Sequence, residues 1–171
     1  MIDAPASSTA AVAPPPQGGG ALVWKFGGTS VGDLDRIRKV AARIARHVAA
    51  GDRLVVTVSA MGRETDRLVG MARDLAGRPD RRELDALMAT GEQRSTALMC
   101  LALQALDVPA RSLTGAQAGF RVSDLYGEAR ILEVDPARVR AELEERPVVV
   151  VAGFQGLASN GDVATLGRGG S

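Results

Sequence analysis

Short runs of apolar, often β-branched residues alternate along the chain with longer stretches in which apolar positions recur every three or four residues. Leu22 to Phe26, Leu54 to Val58 and Val148 to Val151 are of the first kind and predict buried strands of a parallel sheet. Between the first two, Leu34, Ile37, Ala41, Ile44, Ala45 and Val48 follow helical spacing, with Asp33 placed as N-cap and Gly51 as terminator. Strand, helix and strand over this length make a right-handed βαβ unit. Helical patterns follow from about Thr65 to Leu75, from Arg82 to Thr90 and from Glu92 to Leu106, the last apolar almost all round and therefore central. Arg111 to Leu113 and Ala129 to Val134 predict further strands, and Asp135-Pro136 opens a helix to about Glu145. The alternation predicts an α/β protein, a three-layer αβα sandwich with helices on both faces of a mainly parallel sheet.

Residues 1–20 are rich in Ala, Pro, Ser and Gly and offer little to bury, so a disordered tail is expected, with residues 21–171 as part of one globular domain. The tail has neither a basic segment followed by an apolar core nor any arginine, which argues against a secretory or transit peptide. Thr165 to Ser171 reads as a glycine-rich loop that closes no element, so a truncation inside a larger domain is expected. The 21 Lys+Arg against 20 Asp+Glu give no broad field for nucleic acid or an anionic membrane, so an anion site must be local. The single cysteine excludes an internal disulfide, and Cys100, inside an apolar run, reads as a small buried hydrophobe. With one His and one Cys there is no zinc site and no Cys–His pair; His47 reads as a solvent-facing or helix-end residue. No apolar stretch has the roughly 18 residues a membrane span needs, and a cytoplasmic protein is expected.

In parallel α/β sheets ligands collect at the carboxyl ends of strands, so the loops after the strands are where chemistry is expected. Lys25-Phe26-Gly27-Gly28-Thr29-Ser30 ends the first strand: adjacent glycines expose backbone N–H groups, Thr29 and Ser30 add hydroxyls, and Lys25 adds a charge. This is a phosphate cradle by composition, though not a Walker or dinucleotide motif; a tight turn with Lys25 as edge-strand protection accounts for it equally. Ser59-Ala60-Met61-Gly62, leading to Thr65, offers hydroxyls to a carboxylate or phosphate, or only an N-cap. Arg168, between Gly167 and Gly169-Gly170-Ser171, suits a bidentate grip on an anion, or is an exposed loop. Glu92, read as lying in the first turn of a helix, is either a capping charge or a partner for a substrate ammonium.

Taken in order, Lys25 to Val31, Val58-Ser59-Ala60-Met61-Gly62 with Thr65-Asp66, Thr90-Gly91-Glu92, Thr114 to Gly119, Ala152 to Gly156 and Thr165 to Ser171 resemble the catalytic domain of aspartate kinases. The likeness runs from about Ala21 to the end and implies the amino acid kinase fold. It also implies an ATP-dependent enzyme, with Mg²⁺ on the phosphates, that phosphorylates the β-carboxylate of L-aspartate. That reaction opens the biosynthesis of lysine, threonine and methionine. Carried over by residue, the likeness implies Lys25, Phe26, Gly27 and Gly28 at the phosphates, with Lys25 acting on the transferring group. Ser59 and Thr65 would line the aspartate pocket, Glu92 would pair with the ammonium, and Arg168 with Gly169, Gly170 and Ser171 would grip the α-carboxylate. It implies a homo-oligomer for the full-length enzyme. An aspartate, nucleotide-binding segments and ACT regulatory domains that follow in such enzymes are not in this chain, so the fragment alone is expected to be inactive. A superfamily kinase for another carboxylate or carbamate, and a remnant that only binds, are the alternatives.

Overall fold

The computed structural model describes residues 20–167; most of the predicted tail, and Arg168, Gly169, Gly170 and Ser171, lie outside them. In chain order the elements are β1 (Leu22–Phe26), α1 (Leu34–Ala49), β2 (Leu54–Val58), α2 (Glu64–Ala76), α3 (Arg81–Gln104), β3 (Ala110–Leu113), β4 (Phe120–Val122), β5 (Ile131–Val134), α4 (Ala137–Glu145), β6 (Val148–Ala152), β7 (Gln155–Leu157) and β8 (Val163–Thr165). The first sheet has the order β1-β2-β6-β3 and is parallel throughout, with Leu22, Leu54, Val148 and Ala110 in register.

Helices cover both faces of that sheet, as the pattern predicted. On one, α1 and the second half of α3 lay Ile37, Ala41, Ile44, Met99 and Leu103 onto Leu54, Val56, Val58, Val148 and Val150. On the other, Val139 and Leu143 of α4 meet Leu113, Val149 and Val151. The continuous apolar run of β6 follows from this, because its residues are buried on both sides. Asp33 caps α1 by accepting from the Arg36 N–H at 2.8 Å, and Asp80 caps α3 through the N–H groups of Arg82 and Glu83. His47 lies in the last turn of α1, hydrogen-bonded to Asp52 at 2.8 Å and edge-on to Trp24. Cys100 is buried, and burial pushes its thiol up to about 12, so it serves as core.

Several expectations need correction. The two helices predicted on either side of Gly91 are one helix, α3. Gly91 does not break it, because the glycine answers a packing need: a Cβ there would stand 3.0 Å from the Ala60 Cβ. Glu92 is therefore at mid-helix, not in a first turn. A second sheet, β5-β4-β7-β8, mixes antiparallel and parallel pairs and was not predicted apart from β5. Its strands of three or four residues are too short to display a period. The predicted strand Ala129 to Val134 is shorter, and Ala129 instead bridges Leu166. Thr165 closes β8 and is not part of a loop.

The turn after β3 is wedged against β7: a Cβ on Gly115 would collide with the Gln155 carbonyl oxygen. At Gly51 there is open space, and only its φ of +94° disfavours a side chain. Gly115→Ala is expected to cost more than about 4 kcal/mol or to prevent folding, and Gly51→Ala only about 1–2 kcal/mol, in urea denaturation. Equal effects would mean that β7 can move away from Gly115.

Candidate functional site

Two loops meet at the carboxyl ends of β1 and β2. The Ser59 N–H donates to the Phe26 carbonyl at 3.1 Å and the Gly62 N–H to the Gly28 carbonyl at 3.0 Å. A Cβ on Gly28 would stand 2.6 Å from the Ala60 carbonyl oxygen, so the close approach needs glycine. The Gly153 N–H donates to the Val58 carbonyl at 3.0 Å, which brings the turn after β6 to the same edge. Ser59 and Thr65 are both half-buried, Thr65 in the first turn of α2. Lys25 is exposed on β1, in register with Thr57 and on the opposite face from Trp24 and Phe26. Beyond the glycines, Thr29 and Ser30 line a hollow of about 310 Å³ with Arg36, Lys39 and Val40.

Glu92 closes this arrangement from α3. It is 3% exposed; its Oε1 accepts from the Ala60 N–H at 3.1 Å, and its Oε2 has no partner among the described residues. Burial pushes its carboxyl up to about 7, against the opposing pull of the Ala60 N–H. Arg94, two residues on, bridges to Glu64 at 3.0 Å and not to Glu92. Glu64 also takes Arg67 at 2.7 Å, and the Arg67 guanidinium, with Arg94, holds its carboxyl below the usual range. Among the described residues one buried carboxyl is thus left without an ion-pair partner, beside two loops rich in backbone N–H groups. Chemically, that can accept a cationic donor at Oε2 while the loops accept anionic oxygens.

The structure therefore brings Gly28, Ser59 and Glu92 together through Phe26 and Ala60, whereas Arg168, Gly169, Gly170 and Ser171 lie outside the described residues. Among the buried polar residues, Gln155 and Asp85 were given no role by the sequence reading. Gln155 donates to the Ala89 carbonyl at 3.0 Å. Asp85, 1% exposed, accepts from the Gly127 N–H at 2.8 Å and from the N–H and hydroxyl of Thr165 at 2.7 and 2.8 Å. In sequence Asp85 sits in the charged Arg81-Arg82-Glu83 start of a helix and looks solvated; the available signal was its spacing of seven from Glu92, which puts both on one helix face.

A family model described as the amino acid kinase family matches residues 20–171. An aspartokinase of Thermus thermophilus is 53% identical over 150 residues, which are 88% of this chain and 37% of that protein. The crystal structure of an aspartate kinase from Synechocystis is 54% identical with a TM-score of 0.74, covering 89% of this chain and 25% of that one. The structure of E. coli aspartokinase III in complex with aspartate and ADP is 25% identical with a TM-score of 0.76, covering 88% of this chain and 44% of that one. The chain thus spans little more than a third of the curated relatives it matches.

The state of Glu92 gives a pH dependence. Its pKa in the folded protein is raised to about 7 from an ordinary 4.5, so its contribution is fully present below about 4.5 and is lost as pH rises through 7. In ligand-free protein, Glu92→Gln, which keeps an oxygen for the Ala60 N–H, is expected to remove that loss. Relative to the wild type it should gain on the order of 2–3 kcal/mol between pH 4.5 and 8, read from urea denaturation across this range. A constant difference between the two proteins would mean that Glu92 is ionised and solvated throughout.

Proposed function

The chain belongs to the amino acid kinase family, and we propose that it is the amino-terminal portion of the catalytic domain of an aspartate kinase. In this reading the β-carboxylate of L-aspartate attacks the γ-phosphorus of ATP, forming a P–O bond to the carboxylate as the bond to the ADP oxygen breaks. The observation that carries the reading is Glu92: a buried carboxyl with one oxygen that has no partner among the described residues, where the substrate's α-ammonium would complete its hydrogen bonding. The aspartokinase relatives of about half identity support it, as does the likeness to a solved aspartokinase III described with aspartate and ADP.

The remaining roles follow the charges of the substrates. Gly27 and Gly28 turn backbone N–H groups toward the phosphates beside Phe26, and Lys25 offsets the charge spread over the transferring group. Ser59 and Thr65 supply hydroxyl donors to the aspartate. Arg168 grips the α-carboxylate with Gly169, Gly170 and Ser171, which leaves the β-carboxylate directed at the phosphorus. Among the described residues no three His, Cys, Asp or Glu side chains gather into a metal cage. Mg²⁺ carried on the nucleotide would supply neutralisation of phosphate charge. No protein nucleophile is needed; positioning and fixed charge carry the catalysis.

The deciding experiment offers a full-length enzyme carrying this domain ATP with L-aspartate, L-glutamate, N-acetylglutamate or carbamate and follows ADP release. Aspartate should be turned over with the highest kcat/KM, and preference for another acid would sink the reading. Because the ammonium needs an ionised Glu92, KM for aspartate should fall about tenfold from pH 6 to pH 7.5 and then level off, while in Glu92→Gln it should be at least tenfold higher and indifferent to pH. Lys25→Ala should lower kcat by about 10²-fold with little change in KM for aspartate, since a preorganised charge acts mainly on the transition state. Near-normal kcat with intact circular dichroism would leave Lys25 as an edge-strand charge.

A further inference from the structure

The turn between β7 and β8 runs from Ala158 to Asp162 and carries an Asn-Gly pair; Asn160 is the one asparagine among the 171 residues. Both members of the pair are exposed, and the space around Gly161 is open. An asparagine followed by glycine is prone to cyclise, because no Cβ on the second residue hinders the approach of its amide nitrogen. The fold, however, holds each reacting atom. The Gly161 N–H, whose nitrogen would be the nucleophile, donates to the Ala158 carbonyl at 3.1 Å. The Asn160 amide nitrogen, which would leave, donates to the Tyr126 hydroxyl at 2.9 Å and to Asp162 Oδ2 at 3.0 Å. Its side-chain oxygen accepts from the Asp162 N–H at 3.1 Å. Tyr126 in turn donates to Asp162 Oδ2 at 2.7 Å, and Arg82 of α3 donates to Asp162 Oδ1 at 2.8 Å. Asp162 thus ties together the turn, Tyr126 and the start of α3.

We infer that Asn160-Gly161 is a latent self-modification site, restrained by the clamp that Tyr126 and Asp162 form on the Asn160 amide. In the reaction the Gly161 nitrogen gives its proton to hydroxide and bonds to Asn160 Cγ. The Cγ–Nδ2 bond breaks, and the nitrogen leaves as ammonia with a proton taken from water. Water then opens the cyclic imide at one of its two carbonyls, leaving a carboxylate at position 160 in either a normal or an isopeptide link. The clamp opposes this, because Cγ cannot turn toward the Gly161 nitrogen, nor the amide depart, without giving up bonds it now makes, one of them to a carboxylate. The product undoes the clamp in one direction only. A carboxylate in place of the Asn160 amide has no N–H for Tyr126 or Asp162, and its charge stands beside that of Asp162, the hairpin's link to Arg82. An isopeptide link also lengthens the turn that sets the pairing of Leu157 with Val163.

The test keeps a full-length enzyme carrying this domain, and a synthetic peptide of residues 157–163, at mildly alkaline pH and constant temperature. Conversion at position 160 is followed by mass spectrometry, the two products being separated by chromatography. In the folded enzyme the rate should be at least about tenfold below that of the peptide. Tyr126→Phe, which removes the hydroxyl alone, should raise it about threefold to tenfold, the range that one hydrogen bond commands. Gly51→Ala, a destabilisation outside the clamp, should leave the rate within about twofold of the wild type. Asn160→Asp, which copies the normally linked product, should lower Tm, and the deficit should shrink in high salt as repulsion between carboxylates near the surface does. A folded enzyme that converts as fast as the peptide, or a Tyr126→Phe enzyme no faster than the wild type, would overturn the inference. So would equal acceleration in Gly51→Ala, since conversion would then pass through global unfolding with no part for the clamp. Should Tyr126→Phe fail to fold, the comparison of wild type with peptide decides alone. An Asn160→Asp enzyme with unchanged Tm would overturn the consequence drawn for Asp162 and its hold on α3.

Discussion

Ala60 is where the site-bearing segments converge. Its carbonyl oxygen faces Gly28, its N–H donates to Glu92 and its methyl group faces Gly91. One small residue at the end of β2 thus sets the distances among the loop after β1, the loop after β2 and the middle of α3. Close packing makes such a node intolerant: a Cβ on Gly28 would meet the Ala60 backbone oxygen at 2.6 Å, which cannot yield as a flexible side-chain end can, and one on Gly91 would crowd the Ala60 methyl group at 3.0 Å. The parallel register of β1 and β2 delivers the two loops to the same level, which the hydrogen bond from Ser59 to Phe26 extends one residue past the strands.

The electrostatics of that node oppose stability. A carboxyl with one donor and no partner for its second oxygen among the described residues is unfavourable to bury, and burial accordingly raises the pKa of Glu92. Neighbouring arginines do not relieve it, because Arg94 and Arg67 are both spent on Glu64. A purely structural helix position would be filled by an apolar residue or by a fully satisfied acid such as Asp85, three donors to its two oxygens, seven residues earlier on the same helix. Of these two buried acids of α3, Asp85 has both oxygens hydrogen-bonded and Glu92 has only one bonded among the described residues.

β2 and β6 of the parallel sheet were legible because they are runs of β-branched residues at its buried centre, and α1 because Asp33 and Gly51 mark its ends as well as its period. What escaped was decided by tertiary contact. Gly91 carries the same local signal as a helix break, and only the proximity of Ala60 explains why it sits inside one. β4, β7 and β8 have too few residues to show alternation; they exist because their backbone groups pair with each other and because Asp85 anchors Thr165. The loops of the candidate site were singled out by their glycines and hydroxyls, whereas the lack of an ion-pair partner for Glu92 among the described residues could not be read from a sequence that places Arg94 two residues away.

α3 belongs to both sheets at once, and this gives the site its mechanical logic. Its second half packs Met99 and Leu103 into the core of the parallel sheet, while its first half is tied by directed hydrogen bonds to the mixed sheet. Apolar packing tolerates small slides between layers; hydrogen bonds of fixed direction do not. A helix anchored by packing at one end and by Asp85 at the other carries Glu92 between them, so a displacement of the mixed sheet reaches Glu92 through about two turns of rigid helix. The middle of α3 is therefore a place where a buried acid is held still with no ion-pair partner among the described residues.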